Sequence, residues 1–190
     1  MTDAELQEIL ARELLPGERL VWQARPDPRR MRAPFAIWLF AVPWTVFALA
    51  WEAMALVPLF GAGGTPGMIR YTFGIAFPIF GLPFIAVGFA MLGAPFWARG
   101  AAARSIYGLT GRRILRVTAG RRRVVRSVPF DAMGPIDVRV AVDGWGTLRI
   151  ETGSHIDSDG DRVTERFEVE AVPDVARLEA LLLEMRRTRA

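Results

Sequence analysis

Two apolar runs, 33–59 and 71–98, constrain this chain more than any other feature. The first holds one charged residue, Glu52, in 27 positions, and the second holds none in 28. A helix needs about 20 mostly apolar residues to cross a bilayer, so each run is long enough to span one with some tilt. The stretch between them (Pro58, Gly61, Gly63, Gly64, Pro66, Gly67) has turn composition. The pattern predicts a membrane hairpin over 33–98, with helices over about 35–58 and 71–97 and polar chain on both sides.

Charge distribution orients that hairpin. All 24 basic residues are Arg, and the absence of Lys reads as GC-rich codon usage rather than chemistry. Residues 1–32 balance six Arg against six acids, 99–126 hold nine Arg and no acid, and 127–190 hold eight Arg and thirteen acids. Positive flanks of membrane helices stay in the cytoplasm. Arg29, Arg30 and Arg32 precede the first run, a block of Arg follows the second, and Arg70 alone lies between them. Both termini are therefore expected in the cytoplasm of a two-span inner-membrane protein. The first run starts after 32 mostly polar residues and is too long for a signal-peptide core, so no cleaved signal is expected. The chain has no Cys, which excludes disulfides, thiolate metal sites and cysteine nucleophiles.

Within the hairpin, small residues recur every seven positions: Ala41, Ala48, Ala55 in the first run and Gly74, Gly81, Gly88 in the second. Small side chains let helix backbones approach closely in lipid, and the two stripes are expected to face each other. Pro43, Pro78 and Pro83 are expected to bend the helices. Glu52, counted from either end, falls toward the outer half of its run. An intramembrane acid is a functional hypothesis, but the hairpin has no second charge to make a relay, and Glu52 is expected to reach toward the outer interface and Arg70.

The flanks read differently. Residues 2–15 form an amphipathic helix with Leu6, Ile9, Leu10 and Leu14 at helical intervals. Thr2 with Glu5 has capping-box spacing, and Pro16-Gly17 ends the helix, setting off an N-terminal segment of 1–17. Residues 18–24 alternate moderately, so 18–32 is read as a first strand followed by an Arg25-Pro26-Asp27-Pro28 linker. Beyond the hairpin, 105–110, 114–118, 123–128, 136–142, 147–152 and 166–172 are β-prone. Their separators carry turn residues such as Ala119-Gly120, Asp143-Gly144 and Asp159-Gly160. Pro173 opens a helix in which Val175, Leu178, Leu181, Leu182 and Met185 share a face. The expected fold class is an α+β membrane protein: a transmembrane hairpin plus a small antiparallel β-barrel or sandwich over 99–190 with a C-terminal helix. If 18–24 pairs with later strands, the hairpin is an insertion in the soluble domain.

Several of these segments resemble bacterial pleckstrin-homology-like membrane proteins. Tyr107-Gly108-Leu109-Thr110-Gly111-Arg112-Arg113-Ile114-Leu115 resembles the family's strand–turn–strand opening, with Gly111 where an acid or amide is commoner. Val128-Pro129-Phe130 is similar to its third-strand ending, and Gly144-Trp145-Gly146-Thr147-Leu148 to its Gly-x-Gly-Thr turn. Leu15-Pro16-Gly17-Glu18-Arg19-Leu20-Val21-Trp22, with Arg25-Pro26 behind it, resembles the stretch before the paired membrane helices. The resemblance covers nearly the whole chain in order. It implies two nearly orthogonal sheets plugged by the C-terminal helix, with roles in membrane stress and self-assembly.

The candidate lipid-binding residues are Arg112, Arg113, Arg121, Arg122, Arg123 and Arg126, which come from adjacent turns and a strand. Each Arg near an anionic leaflet contributes about 1 kcal/mol of attraction. They read either as orienting charge resting on bulk lipid or as a headgroup pocket between the Arg112-Arg113 and Arg121–Arg123 turns. Asp157-Ser158-Asp159-Gly160-Asp161, with Glu168 twelfth, imitates an EF-hand loop, but Arg162 stands where that loop needs Gly; a solvated hairpin turn is expected. Ser154, His155 and Asp157 lack the separate elements that a triad requires, and His155 is read as a surface loop residue.

The expected function is therefore non-enzymatic: a cytoplasmic interaction or scaffold module on a membrane anchor, self-assembling or linked to envelope stress. No metal, cofactor or nucleic-acid partner is expected; the expected partners are anionic phospholipid and a second copy. Two alternatives stand beside it: a specific anionic-headgroup binder acting through the Arg turns, and an accessory subunit of a membrane enzyme or transporter.

Overall fold

The computed structural model describes residues 1–60, 67 and 72–188. The chain divides into two units, Met1–Met31 with Arg99–Ala190, and Arg32–Ala98. The first unit is thus discontinuous in sequence. It takes in 1–31 as well as the expected domain over 99–190.

In the first unit, helix α1 (Asp3–Arg12) starts with the expected capping box: Glu5 N–H donates to the Thr2 hydroxyl and Thr2 N–H to the Glu5 carboxylate. Strand β1 (Leu20–Ala24) pairs antiparallel with β2 (Ser105–Thr110) across the whole hairpin insertion. Strands β3 (Arg113–Thr118) and β4 (Val124–Pro129) complete a four-stranded sheet in the order β1-β2-β3-β4. A short 3-10 turn at Phe130–Ala132 leads to a second antiparallel sheet of β5 (Ile136–Val140), β6 (Gly146–Ile156) and β7 (Arg162–Val172).

Alternation decides which side chains meet. From the first sheet, Tyr107, Leu109, Ile114 and Val128 point into a core with Leu148, Ile150, Phe167 and Val169 of the second. The C-terminal helix, α4 (Val175–Arg187), closes that core with Val175, Leu178 and Leu182. The other face of β2 and β3 is not left to water. Leu6 and Leu10 of α1 cover Ile106, Leu115, Val117 and Ala119, each fully buried leucine contributing about 2 kcal/mol. Gly108 permits this, since a Cβ there would lie 3.0 Å from both Leu10 and Leu20.

Three expectations need adjustment. β6 and β7 run further than expected, because their outer ends (exposed at 153–156 and 162–163) project past the core. His155 lies on β6 rather than in a loop, exposed and 3.2 Å from Glu165. The helix starts at Val175 rather than at Pro173, with Asp174 at its N-terminus in the left-handed region, φ +49°.

The second unit holds a 3-10 segment, Ala33–Ile37, then α2 (Trp38–Phe60), a π-turn at Thr72–Ala76, and α3 (Phe77–Ala102), whose last residues belong to the first unit. Pro78 has no N–H to donate back to Gly74, and the backbone just ahead of it takes the wider π form. The stretches Pro34–Val57 and Gly74–Ala102, of 24 and 29 residues, are long and apolar enough to cross a membrane. At 1.5 Å per residue they reach about 36 and 43 Å against a hydrocarbon core of about 30 Å. Their large side chains face outward, as with Leu39 and Phe47. The Gly/Pro turn and Arg70 lie outside the described residues.

Candidate functional site

The β2–β3 turn is built around one buried acid. Glu18, just before β1, accepts hydrogen bonds from Arg113 Nε (3.1 Å) and Nη2 (3.0 Å), from the Thr110 hydroxyl (2.7 Å) and from Leu15 N–H (2.9 Å). The Thr110 hydroxyl in turn accepts from the backbone N–H groups of Arg112 and Arg113, so one side chain organises the β2–β3 turn. Arg113 Nη2 also donates to Glu13 O at 2.9 Å, fixing the end of α1. Burial works against the Glu18 charge, yet the donors and the Arg113 charge outweigh it and hold its pKa at about 2.

This arrangement sorts the six candidate arginines. Arg113 is half-buried and committed to Glu18, and Arg123 pairs with Glu13 at 2.9 Å. Arg112, Arg121, Arg122 and Arg126 are exposed. The two turns sit at opposite ends of β3, roughly 16 Å apart at 3.3 Å per residue. They therefore do not converge on one headgroup. Arg126 stands opposite Arg116 in the β3–β4 register, an unfavourable like-charge pair, and Arg116 instead lies over the Tyr107 ring, 5.6 Å from its centroid. Beside the β4 edge runs an open groove of about 440 Å³ lined by Arg126, Ser127, Pro129, Thr152, Glu165 and Phe167.

A second node was not visible from sequence. Tyr107 is buried, and its hydroxyl accepts from Glu170 N–H at 3.4 Å. Burial pushes the Tyr107 pKa up, and burial together with neighbouring Glu168 pushes that of Glu170 up. The linker of 25–32 is also docked rather than loose. Asp27 N–H donates to Ala171 O at 2.9 Å, while Arg30 pairs with Asp143 and lies 4.4 Å over the Trp145 ring. The Gly-x-Gly-Thr turn thus has a physical rationale: Gly144 sits at φ +81°, and a Cβ on Gly146 would fall 2.2 Å from Arg139 O.

The calcium-like loop is a turn. Asp157 spends its carboxylate on the N–H groups of Asp159 (3.0 Å) and Asp161 (2.9 Å). No group of three or more potential metal ligands occurs among the described residues.

In the hairpin unit both seven-residue stripes lie largely inward. Ala41 and Ala48 are buried, and so are Gly74, Gly81 and Gly88. Directly against the glycines, however, stand Thr45 and Glu52, which interleave with the alanines at four- and three-residue steps. A Cβ on Gly88 would fall 2.5 Å from Thr45 Oγ1, and one on Gly81 only 2.0 Å from Glu52 Oε2. Glu52 is thereby placed in the helix–helix seam, with Oε2 buried. The indole N–H groups of Trp38 and Trp44 cross the seam to Leu92 O and Phe84 O, both at 3.1 Å.

No family model, no curated protein and no solved structure matches this chain.

Proposed function

We propose that the chain is a non-enzymatic inner-membrane protein, anchored by a two-span hairpin and presenting a pleckstrin-homology-like domain to the cytoplasm as an interaction or scaffold module. The observation that carries this reading is the order of the parts. Four antiparallel strands, then three, then a helix closing the shared core is the arrangement that a pleckstrin-homology-like domain requires, and the apolar helices interrupt it between β1 and β2. Among the described residues, the side chains on show are arginines, valines and turn residues rather than a converging set of nucleophile, base and oxyanion donors.

Reporter fusions after Thr188 and within residues 61–66, between the two apolar helices in sequence, test the topology. Cytoplasmic activity at the C-terminus and external activity at 61–66 are expected, and the reverse pattern overturns the orientation. Chemical cross-linking of the full chain in native membranes tests the scaffold role. Defined oligomers or reproducible partners are expected; monomer alone at endogenous level counts against it.

A headgroup-binding reading draws support from the exposed Arg112, Arg121, Arg122 and Arg126. With Arg113 and Arg123 committed to Glu18 and Glu13, and the turns at opposite ends of β3, it takes the form of diffuse attraction to anionic lipid. Preference for one anionic headgroup over another at equal surface charge would contradict that form.

A further inference from the structure

The two sheets end in four edge strands, and three of them carry devices that keep an edge from pairing with a foreign strand. β1 is five residues long and slips register between Leu20 and Trp22. β5 is equally short and packs against α4, whose Arg186 donates to Gly134 O at 3.2 Å. β7 uses Glu170 N–H on the Tyr107 hydroxyl and Ala171 O on Asp27 N–H. β4 has none of these. It pairs with β3 in unbroken register from Val124 to Pro129, holds no proline before that last residue, and has no strand on its other side among the described residues.

The side chains of this edge favour an occupant of one kind. Val124 and Val125 are both exposed and lie on opposite faces of the strand, so an added strand would cover apolar surface on either side. The groove of about 440 Å³ follows the same edge, with Thr152, Glu165 and Phe167 of the second sheet as its other wall. Arg121 and Arg122 lead into the strand and Arg126 stands midway along it, all exposed. Arg126 also faces Arg116 across the β3–β4 pair, a repulsion that a carboxylate on the next strand would relieve. A second copy of β4 would bring more arginine to this edge, and a lipid headgroup brings no backbone to pair with it.

We infer that β4 takes up an extended acidic segment of a partner protein as a fifth strand, one in which carboxylates alternate with β-branched side chains. Main-chain hydrogen bonds along 124–128 hold the segment, while Arg126 and the Arg121-Arg122 turn select its charge. The inference deepens the interaction-module reading above and rests on it.

Full-length protein in nanodiscs of zwitterionic lipid is titrated with a fluorescein-labelled peptide of three Glu-Val repeats. Saturable binding is expected, weaker by about tenfold or more for the Lys-Val counterpart and lost when every peptide nitrogen is methylated, since that form keeps the carboxylates but cannot donate to a strand. Arg126→Glu is expected to weaken binding by about tenfold or more, whereas Arg139→Glu, exposed on β5, leaves it unchanged. Hydrogen exchange at 124–128 should slow on peptide saturation while that at 136–140 does not. Equal binding of the Lys-Val or the methylated peptide, an unchanged Arg126→Glu titration, or protection that falls elsewhere than 124–128 overturns the site. If Arg126→Glu folds poorly, the peptide series and the exchange pattern of the wild type decide alone. Protection of 124–128 that appears without peptide, either on raising protein concentration or on adding anionic lipid, assigns the edge to a second copy or to headgroups and equally overturns it. A chain that binds no peptide yet cross-links to reproducible partners in native membranes loses only this site; one that cross-links to nothing loses the module reading itself.

Discussion

Replacing Glu18 with Gln removes one charge from the buried node that ties α1, β1 and the β2–β3 turn together. The native carboxylate accepts four hydrogen bonds, two of them from Arg113, and its side chain is fully buried. Its pKa falls from 4.5 to about 2, a displacement worth about 3 kcal/mol of folding stability. Because the folded value is the lower one, that contribution is fully present above pH 4.5 and is lost as pH falls toward 2. Gln keeps the shape and can still accept from Thr110 and Leu15, but it leaves Arg113 half-buried without its counter-ion.

We therefore expect Glu18→Gln to cost about 3 kcal/mol at pH 7 and Glu18→Ala somewhat more. The difference between wild type and Glu18→Gln should shrink as pH is lowered from 5 toward 2. Hydrogen exchange of the 105–118 segment in the detergent-solubilised full chain reads this locally. Protection that drops by less than about tenfold at pH 7, or a difference that stays constant from pH 6 to pH 3, would refute the assignment.

Gly146→Ala drives a methyl group against Arg139 O and Val175 and should cost about 2–3 kcal/mol, seen as a lower thermal midpoint. Glu170→Gln should stabilise at pH 7, because the folded pKa of Glu170 is raised by burial and by Glu168; the gain should fade as pH falls toward 4.5 and be absent below it, where the acid is protonated in both the folded and the unfolded chain. Gly88→Ala presses on Thr45 and should loosen the hairpin by about 1–3 kcal/mol, whereas Gly93→Ala, whose nearest neighbour is Trp97 at 3.8 Å, should not; thermal scans in one detergent compare them. An isolated 99–190 fragment should be insoluble or molten, since it lacks β1, α1 and Glu18, while adding 1–31 through a flexible linker should restore dispersed amide spectra.

What could be read from sequence was what is local or periodic. The Thr2–Glu5 cap needs only its own three-residue spacing, and β5 and the inner half of β6 carry alternation that the shared core enforces. The outer arms of β6 and β7 escaped because both of their faces meet water, so no alternation marks them. Glu18 could be read only as the start of a strand, for its partners Thr110 and Arg113 lie 92 and 95 residues away. Half of the helix seam was legible, because alanine and glycine repeat visibly every seven residues. Thr45 and Glu52 complete it, but as single polar residues in an apolar run they show no repeat of their own character.

The sheet order has a further consequence for how the chain is assembled. β1 is made before either apolar helix, yet its partner β2 begins only at Ser105. The first unit therefore cannot complete its four-stranded sheet until both helices have been synthesised. Once it does, it fixes the points where the chain leaves and returns. Arg99 Nη2 donates to Met31 O at 3.3 Å, and Met31, Ala102 and Ala171 pack together in a small buried cluster. Fixing both ends of a 67-residue excursion (residues 32–98) removes loop-closure entropy that the two helices would otherwise lose on pairing. The Gly81 and Gly88 contacts then form between segments already held together at their base. That coupling explains why a seam made largely of alanine and glycine, with one buried acid in it, suffices for the hairpin.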